Sequence, residues 1–363
     1  MNKFTIIFFL FCFYFINAQT TRKYSNEFLN IGVDAAALGM GNAVVASTLD
    51  VNSGYWNPAG LTQLEDNQIS LMHAAYFANI ANFDYVGYAM PLDQQSALGI
   101  SLIRFGVDDI LDTTSLVDAD GNIDYSRINL FSAADYAFTF SYARNSKSLR
   151  FSYGANAKVI RRVIGDFASS WGFGFDLGLQ YRSNLWSFGI MARDITTTFN
   201  AWSIDELKIG DLNGDGIPDE EQIDPIRDQE LPETTEITLP KLQLGAAKIF
   251  EISKKFELVT ELDLNVRFAE TNDIISTSSF SAVPAFGFQL DYNKLIFLRG
   301  GVGNFQNIQQ FDGTDQLGFQ PNFGIGFRYK GISIDYALTD IGDQSAAIYS
   351  NIFSLKVDWK IFR

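Results

Sequence analysis

Between Trp171 and Arg182 the chain alternates with period two. Trp171, Phe173, Phe175, Leu177, Leu179 and Tyr181 take one parity; Gly172, Gly174, Asp176, Gly178, Gln180 and Arg182 take the other. Successive side chains of a β-strand point to opposite faces, so this segment has one oily face and one small or polar face. The pattern returns in 256–268, where Phe256, Leu258, Leu262, Leu264, Val266 and Phe268 oppose Glu257, Glu261, Asp263, Asn265 and Arg267. Tyr136, Phe138, Phe140 and Tyr142 repeat it, as do Phe323, Ile325, Phe327 and Tyr329, and then Ile332, Ile334, Tyr336 and Leu338. Read this way, strands are predicted at 67–75, 82–90, 96–106, 134–144, 149–163, 171–183, 185–194, 239–250, 255–268, 280–291, 295–303, 319–329, 331–338 and 349–361.

The connections carry a second signal. Links after even-numbered strands are short, such as 183–184 and Lys330, whereas those after odd-numbered strands are mostly long, such as 107–133 and the external loop 195–238. Strict alternation of short turns and long loops is the habit of an outer-membrane barrel, with both termini on the short-turn, periplasmic side. The fold class expected is therefore all-β: a transmembrane outer-membrane β-barrel of about fourteen antiparallel strands over 66–363. Lipid offers backbone groups no partners, so the sheet has to close, first strand on last. The last strand alternates Phe353, Leu355, Val357, Trp359 and Ile361 against Ser354, Lys356, Asp358 and Lys360, with Phe362 next to the end. It resembles the terminal signal read by barrel-insertion machinery.

Composition agrees. The 363 residues are 47% hydrophobic and 15% aromatic, yet the mean hydropathy is only +0.02. After the N-terminus there is no apolar run of roughly 20 residues, the length a membrane helix needs. Residues 1–18 read as a signal peptide, with Lys3, an apolar core from Phe4 to Ile16, and Ala18 before a cut at Gln19. Cleavage would remove Cys12, the single cysteine, and with it any disulfide or thiolate site. The net charge of −15 argues against nucleic acid, which needs a basic face.

Residues 19–65 form a Gly- and Ala-rich segment ahead of the first strand, suited to compact folding in a confined lumen. Two motifs stand out in it, Leu38-Gly39-Met40-Gly41-Asn42-Ala43 and Tyr55-Trp56-Asn57-Pro58-Ala59-Gly60-Leu61, supported downstream by Met72-His73 and Tyr88-Ala89-Met90-Pro91. On these residues the chain resembles the PorV/PorQ family of Bacteroidetes outer-membrane proteins, relatives of the FadL-type fatty-acid channels. The resemblance implies an N-terminal hatch or plug inside a FadL-like barrel, with Gly39, Gly41, Trp56, Asn57, Pro58 and Gly60 as its motif residues. It implies a non-enzymatic role in type IX secretion, with the translocon barrel or the C-terminal domains of cargo as partners beside outer-membrane lipid. A plainer role for the same residues is to fold the segment and nothing more. The FadL relatives suggest an alternative, transport of hydrophobic small molecules.

The long loop holds Asp211-Leu212-Asn213-Gly214-Asp215-Gly216-Ile217-Pro218-Asp219. Side-chain oxygens of Asp211, Asn213, Asp215 and Asp219, with the Ile217 carbonyl, match the start of a calcium loop, whose sixth position is glycine. Gln222 stands where such a loop places a bidentate Glu. Calcium is the one cofactor considered, and none is required. His73, the single histidine, falls on the oily face near a strand end, and Phe199, Trp202, Leu207 and Ile209 offer apolar anchors in the long loop. One histidine leaves little for acid–base or metal chemistry, so no enzyme activity is expected. Lys158, Arg161 and Arg162 read as headgroup-level cations or an external anion patch, with no function assigned.

Overall fold

A computed structural model describes residues 25–77, 79–113, 116, 122–146, 150–205, 235–310, 313–339 and 349–362. Seventeen strands form one antiparallel sheet: β1 (Gln68–Tyr76), β2 (Ala81–Pro91), β3 (Ser96–Asp112), β4 (Asn129–Asn145), β5 (Phe151–Ile164), β6 (Ala168–Arg182), β7 (Trp186–Arg193), β8 (Thr198–Ile204), β9 (Thr235–Thr238), β10 (Lys241–Glu251), β11 (Phe256–Arg267), β12 (Ile275–Ser276), β13 (Ser281–Tyr292), β14 (Ile296–Gln309), β15 (Asp315–Tyr329), β16 (Ile332–Thr339) and β17 (Ser350–Asp358). β7 with β8, and β9 with β10, make one interrupted stave each, and β12 only leans on β13, so the wall is a closed barrel of 14 strands. Closure is direct: β1 pairs with β2 on one side and with β17 on the other, in the register Leu71↔Leu355 and His73↔Phe353.

The alternation decides which way each residue faces. Trp171, Phe173, Phe175, Leu177 and Leu179 are about half exposed, while Asp176 (2%) and Gln180 (1%) are buried in the interior. An oily exterior facing lipid and a polar interior is the arrangement a membrane barrel needs. His73 lies outside, as its parity indicates, with Nδ1 2.7 Å from Asp84 Oδ1.

Gln68 and Asp358 sit together at the end that carries the tight turns 183–185, 293–295 and Lys330-Gly331. Lys330 (φ 47) and Gly331 (φ 80) build a two-residue primed turn, whose twist matches the flanking strands. The strand ends that bound the long connections 113–128, 205–234 and 340–349 lie at the opposite end, together with three short links, 77–80, 165–167 and 310–314.

Four expectations need correction. β3 and β4 run on to Asp112 and back to Asn129 as a two-stranded ribbon, past a register shift between Val107 and Ile110. Asp109 (φ 58) sits in that bulge, which flips the parity and hid the extension. The predicted loop 195–238 begins and ends in the wall, because Thr198–Ala201 pair with Thr235–Thr238. Phe199 is therefore an outward wall residue, 48% exposed, and Arg162 lies over the Trp202 ring, instead of both crowning a loop. The last strand stops at Asp358, opposite Gln68, because neither neighbour extends further; Trp359–Phe362 coil into a 3-10 turn. Residues 1–18, the calcium candidates Asp211, Asn213, Asp215, Ile217 and Asp219, and Leu207 and Ile209 lie outside the described residues.

Candidate functional site

The N-terminal segment 25–67 lies against the inner faces of the wall strands. Its helix Ala35–Gly39 faces β14 to β17, and its 3-10 turn Pro58–Gln63 faces β2 to β6. The contact is close because the strands present glycine there. A Cβ on Gly154 would stand 2.6 Å from the Pro58 carbonyl carbon, one on Gly178 2.2 Å from Asn57 Oδ1, and one on Gly189 2.3 Å from the Val45 oxygen. Gly287 and Gly301 make the same room for Met40. The small residues of the polar parity are landing places for another backbone, a role that alternation alone does not reveal.

Each motif residue has a definable task. Gly39 rests on Gly324, and Gly41 (φ 66) turns the chain against Val302. Gly60 fits inside the segment, where a Cβ would meet the Thr48 carbonyl at 2.4 Å. Trp56, 3% exposed, donates from Nε1 to the Val33 carbonyl at 3.0 Å; Tyr55 packs edge-on to it at 4.9 Å and donates to the Leu29 carbonyl at 2.6 Å. Asn57 is fully buried. Its Oδ1 caps the 3-10 turn through Ala59 N–H, and its Nδ2 faces the carbonyls of Val45 (3.0 Å), Leu179 (3.1 Å) and Ile190 (3.4 Å). Pro58 opens the turn, where a missing N–H costs nothing.

The segment is also held by buried acidic and basic side chains of the wall. Asp263 Oδ2 accepts the N–H groups of Val44 (2.9 Å) and Val45 (3.1 Å), and Glu261 Oε1 accepts that of Ala46 (2.6 Å). Consecutive backbone N–H groups form an anion nest, filled here by wall carboxylates. On the opposite side Lys356 hydrogen-bonds Asp50, and Ser354 accepts the Ala35 N–H at 2.7 Å. Burial pushes the Asp34 carboxyl up to about 6, partly countered by Lys356. Burial also acts to raise Asp50, but the Lys356 ammonium and the Asn52 N–H outweigh it and hold that carboxyl below its ordinary value.

Lys158 departs from its sequence reading. It points inward, 6% exposed, between Asp176 (2.8 Å) and Asp194 (2.6 Å), next to the break between β7 and β8. Arg162 also turns inward, to Asp135 (2.8 Å) and Glu236 (2.9 Å), and only Arg161 lies over an outer ring, that of Trp171. Lys158 shares its parity with Asn156 and Gly154, so the signal was present in the alternation.

Between the segment and the long-connection end is a cavity of about 770 Å³. Leu29, Gly41, Asn42, Tyr55 and Trp56 line its floor, and wall residues including Arg193, Lys241, Gln243, Asn265, Arg267 and Asn322 line its sides. Trp56 and Gly41 are thus the motif residues that reach the cavity; Gly39, Asn57, Pro58 and Gly60 secure the segment behind them.

Residues 17–205 match the family model described as type IX secretion system protein PorV. No curated protein matches the sequence. Among solved structures, the barrel is similar to the Pseudomonas putida toluene transporter TodX, with TM-score 0.53 and 14% identity over 93% of this chain and 98% of that one. It is similar to the CymD monoaromatic hydrocarbon channel (0.54, 13%, 91% and 98%). The Ralstonia pickettii toluene transporter TbuX is a third (0.51, 11%, 90% and 98%). At these identities the likeness is one of fold.

Proposed function

Because this chain belongs to the family of type IX secretion system protein PorV, we propose that its long-connection end binds secreted cargo or a translocon partner. The chain is an outer-membrane barrel of that secretion system. The reading has residues 1–18 removed as a signal peptide, the tight turns facing the periplasm, and segment 25–67 acting as a plug. The observation that carries it is the family match over 17–205, which spans the segment and the first half of the wall. The packing supports the plug: side chains and backbone of 25–67 touch the wall from β1 round to β17, leaving the cavity above them. A barrel filled in this way suits a docking partner better than an open pore.

Affinity purification of a tagged copy from its native outer membrane tests the reading. Recovery of a second, larger barrel or of exported proteins is expected, and purification of the chain alone from gently solubilised membranes would overturn it.

A second reading, passage of hydrophobic small molecules, draws on the fold neighbours titled toluene transporter and hydrocarbon channel. The cavity here combines apolar residues (Leu29, Ile31, Leu38, Trp56, Phe105) with amides (Gln243, Asn265, Asn322) and cations (Arg193, Lys241, Arg267), which suits an occupant carrying a polar group better than a plain hydrocarbon. Toluene uptake by liposomes carrying the protein would revive this reading.

A further inference from the structure

We propose that Arg193, Lys241 and Arg267 form a carboxylate-binding site in the wall of the cavity. The three residues stand directly opposite one another on adjacent strands, Lys241↔Arg193 on β7 and Lys241↔Arg267 on β11, and all three line the cavity. Like charges placed opposite each other across a sheet repel. A chain with 42 Asp and Glu against 27 Lys and Arg has acids to spare for neutralising such a row, yet the close partners are few. Among the described residues, Arg267 meets Asp273 at 3.3 Å, the carboxylate within 4 Å of Lys241 is that of Glu27, at 3.9 Å and half exposed, and Asp176 and Asp194 act on the row only from further away, paired to Lys158. Among the described residues no carboxylate oxygen comes within 4 Å of Arg193.

The neighbouring groups prepare the row for an anion instead. Arg193 is held in place by donating to the Gln243 side chain (2.6 Å) and the Tyr55 carbonyl (2.9 Å), and its guanidinium lies over the Tyr55 ring. Lys241 donates to Asn30 Oδ1 (2.7 Å), which leaves two of its three protons for another acceptor. A planar two-oxygen anion matches guanidinium donors, and the partly desolvated site strengthens the charge-assisted bonds. The adjacent Gln243–Asn265 pair can hydrogen-bond an amide next to that anion. The carboxylate could be the C-terminus of a polypeptide or a free organic acid.

Binding is measured on the full chain in detergent by fluorescence anisotropy. The probe is an N-terminally labelled decapeptide of alternating Thr and Val, compared as free acid and as C-terminal amide, with citrate as competitor. Binding of the acid form at least about tenfold tighter than the amide identifies a chain end as the source. Equal weak binding of both, with a citrate-induced rise in melting temperature, identifies a free acid. Either preference should vanish in Lys241→Gln/Arg267→Gln, a variant that relieves repulsion and should keep heat-modifiable gel mobility. No acid preference and no citrate effect would overturn the site, and so would a preference that survives in the double variant. A site of this kind is independent of the secretion reading, so failure of the pull-down and failure of this titration are separate results.

Discussion

Gly39 and Gly324 touch backbone to backbone: a Cβ on Gly39 would stand 2.9 Å from the Gly324 Cα, and one on Gly324 3.2 Å from the Gly39 Cα. Neither glycine can grow without pushing the N-terminal segment off the wall. Gly324→Val should therefore destabilise the protein by about 1–3 kcal/mol, the usual cost of overpacking. Limited proteolysis should then cut within 25–67 faster than in the parent, while heat-modifiable mobility, a property of the closed wall, persists. Unchanged proteolysis would mean that the contact matters little.

Asn57 should be irreplaceable by its closest relatives. Asn57→Ala leaves the Val45 and Leu179 carbonyls and the Ala59 N–H without their side-chain partner, at a cost of about 1–3 kcal/mol. Asn57→Asp should cost more, since a carboxylate would face those carbonyls with no proton to offer. Guanidinium unfolding in detergent ranks the two.

Lys158 and Arg161 are three residues apart but answer to different physics. Lys158→Met strands Asp176 and Asp194 without their shared cation and should cost about 3–5 kcal/mol, as breaking a buried ion pair does. Arg161→Met loses an outer cation–π contact with Trp171, worth about 0.5–1 kcal/mol. Equal losses in thermal melts would contradict the inward placement of Lys158.

Asp34 makes stability fall as pH rises. Its folded value, about 6, lies above the ordinary 3.8 because burial disfavours the charged form. The folded state thus holds the proton more tightly than the unfolded chain does. Its penalty is absent below pH 3.8, grows between 3.8 and about 6, and is complete above that, reaching ~3 kcal/mol. Asp34→Asn keeps a side-chain oxygen for the Ala36 N–H and should remove this pH dependence. The stability gain of the variant over the parent should be larger at pH 7.5 than at pH 4.5; an equal gain at both would refute the assignment.

The wall was legible because lipid and lumen impose opposite demands on neighbouring residues, so Trp171 to Arg182 announces its two faces without any tertiary information. What defeated the reading were places where parity breaks. Asp109 flips it in the β3 bulge, and Asp194 (φ 54) and Thr197 (φ 59) interrupt the stave formed by β7 and β8. The motif residues were legible as a group, but their tasks were not. Asn57 depends on carbonyls more than a hundred residues away, and the match of Gly39 to Gly324 exists only once the barrel is closed. The cation row was equally hidden, since Arg193, Lys241 and Arg267 become neighbours only through strand register.

The pairing of β1 with β17 encloses the N-terminal segment. Residues 25–67 lie ahead of β1 in the chain, and the seam joins β1 to Ser350–Asp358. A folded segment that touches the wall on so many sides has no side entrance once the seam is zipped. With the seam paired, only the two ends of the barrel lead inside, so a segment not yet folded against the wall at closure would have to enter through one of them.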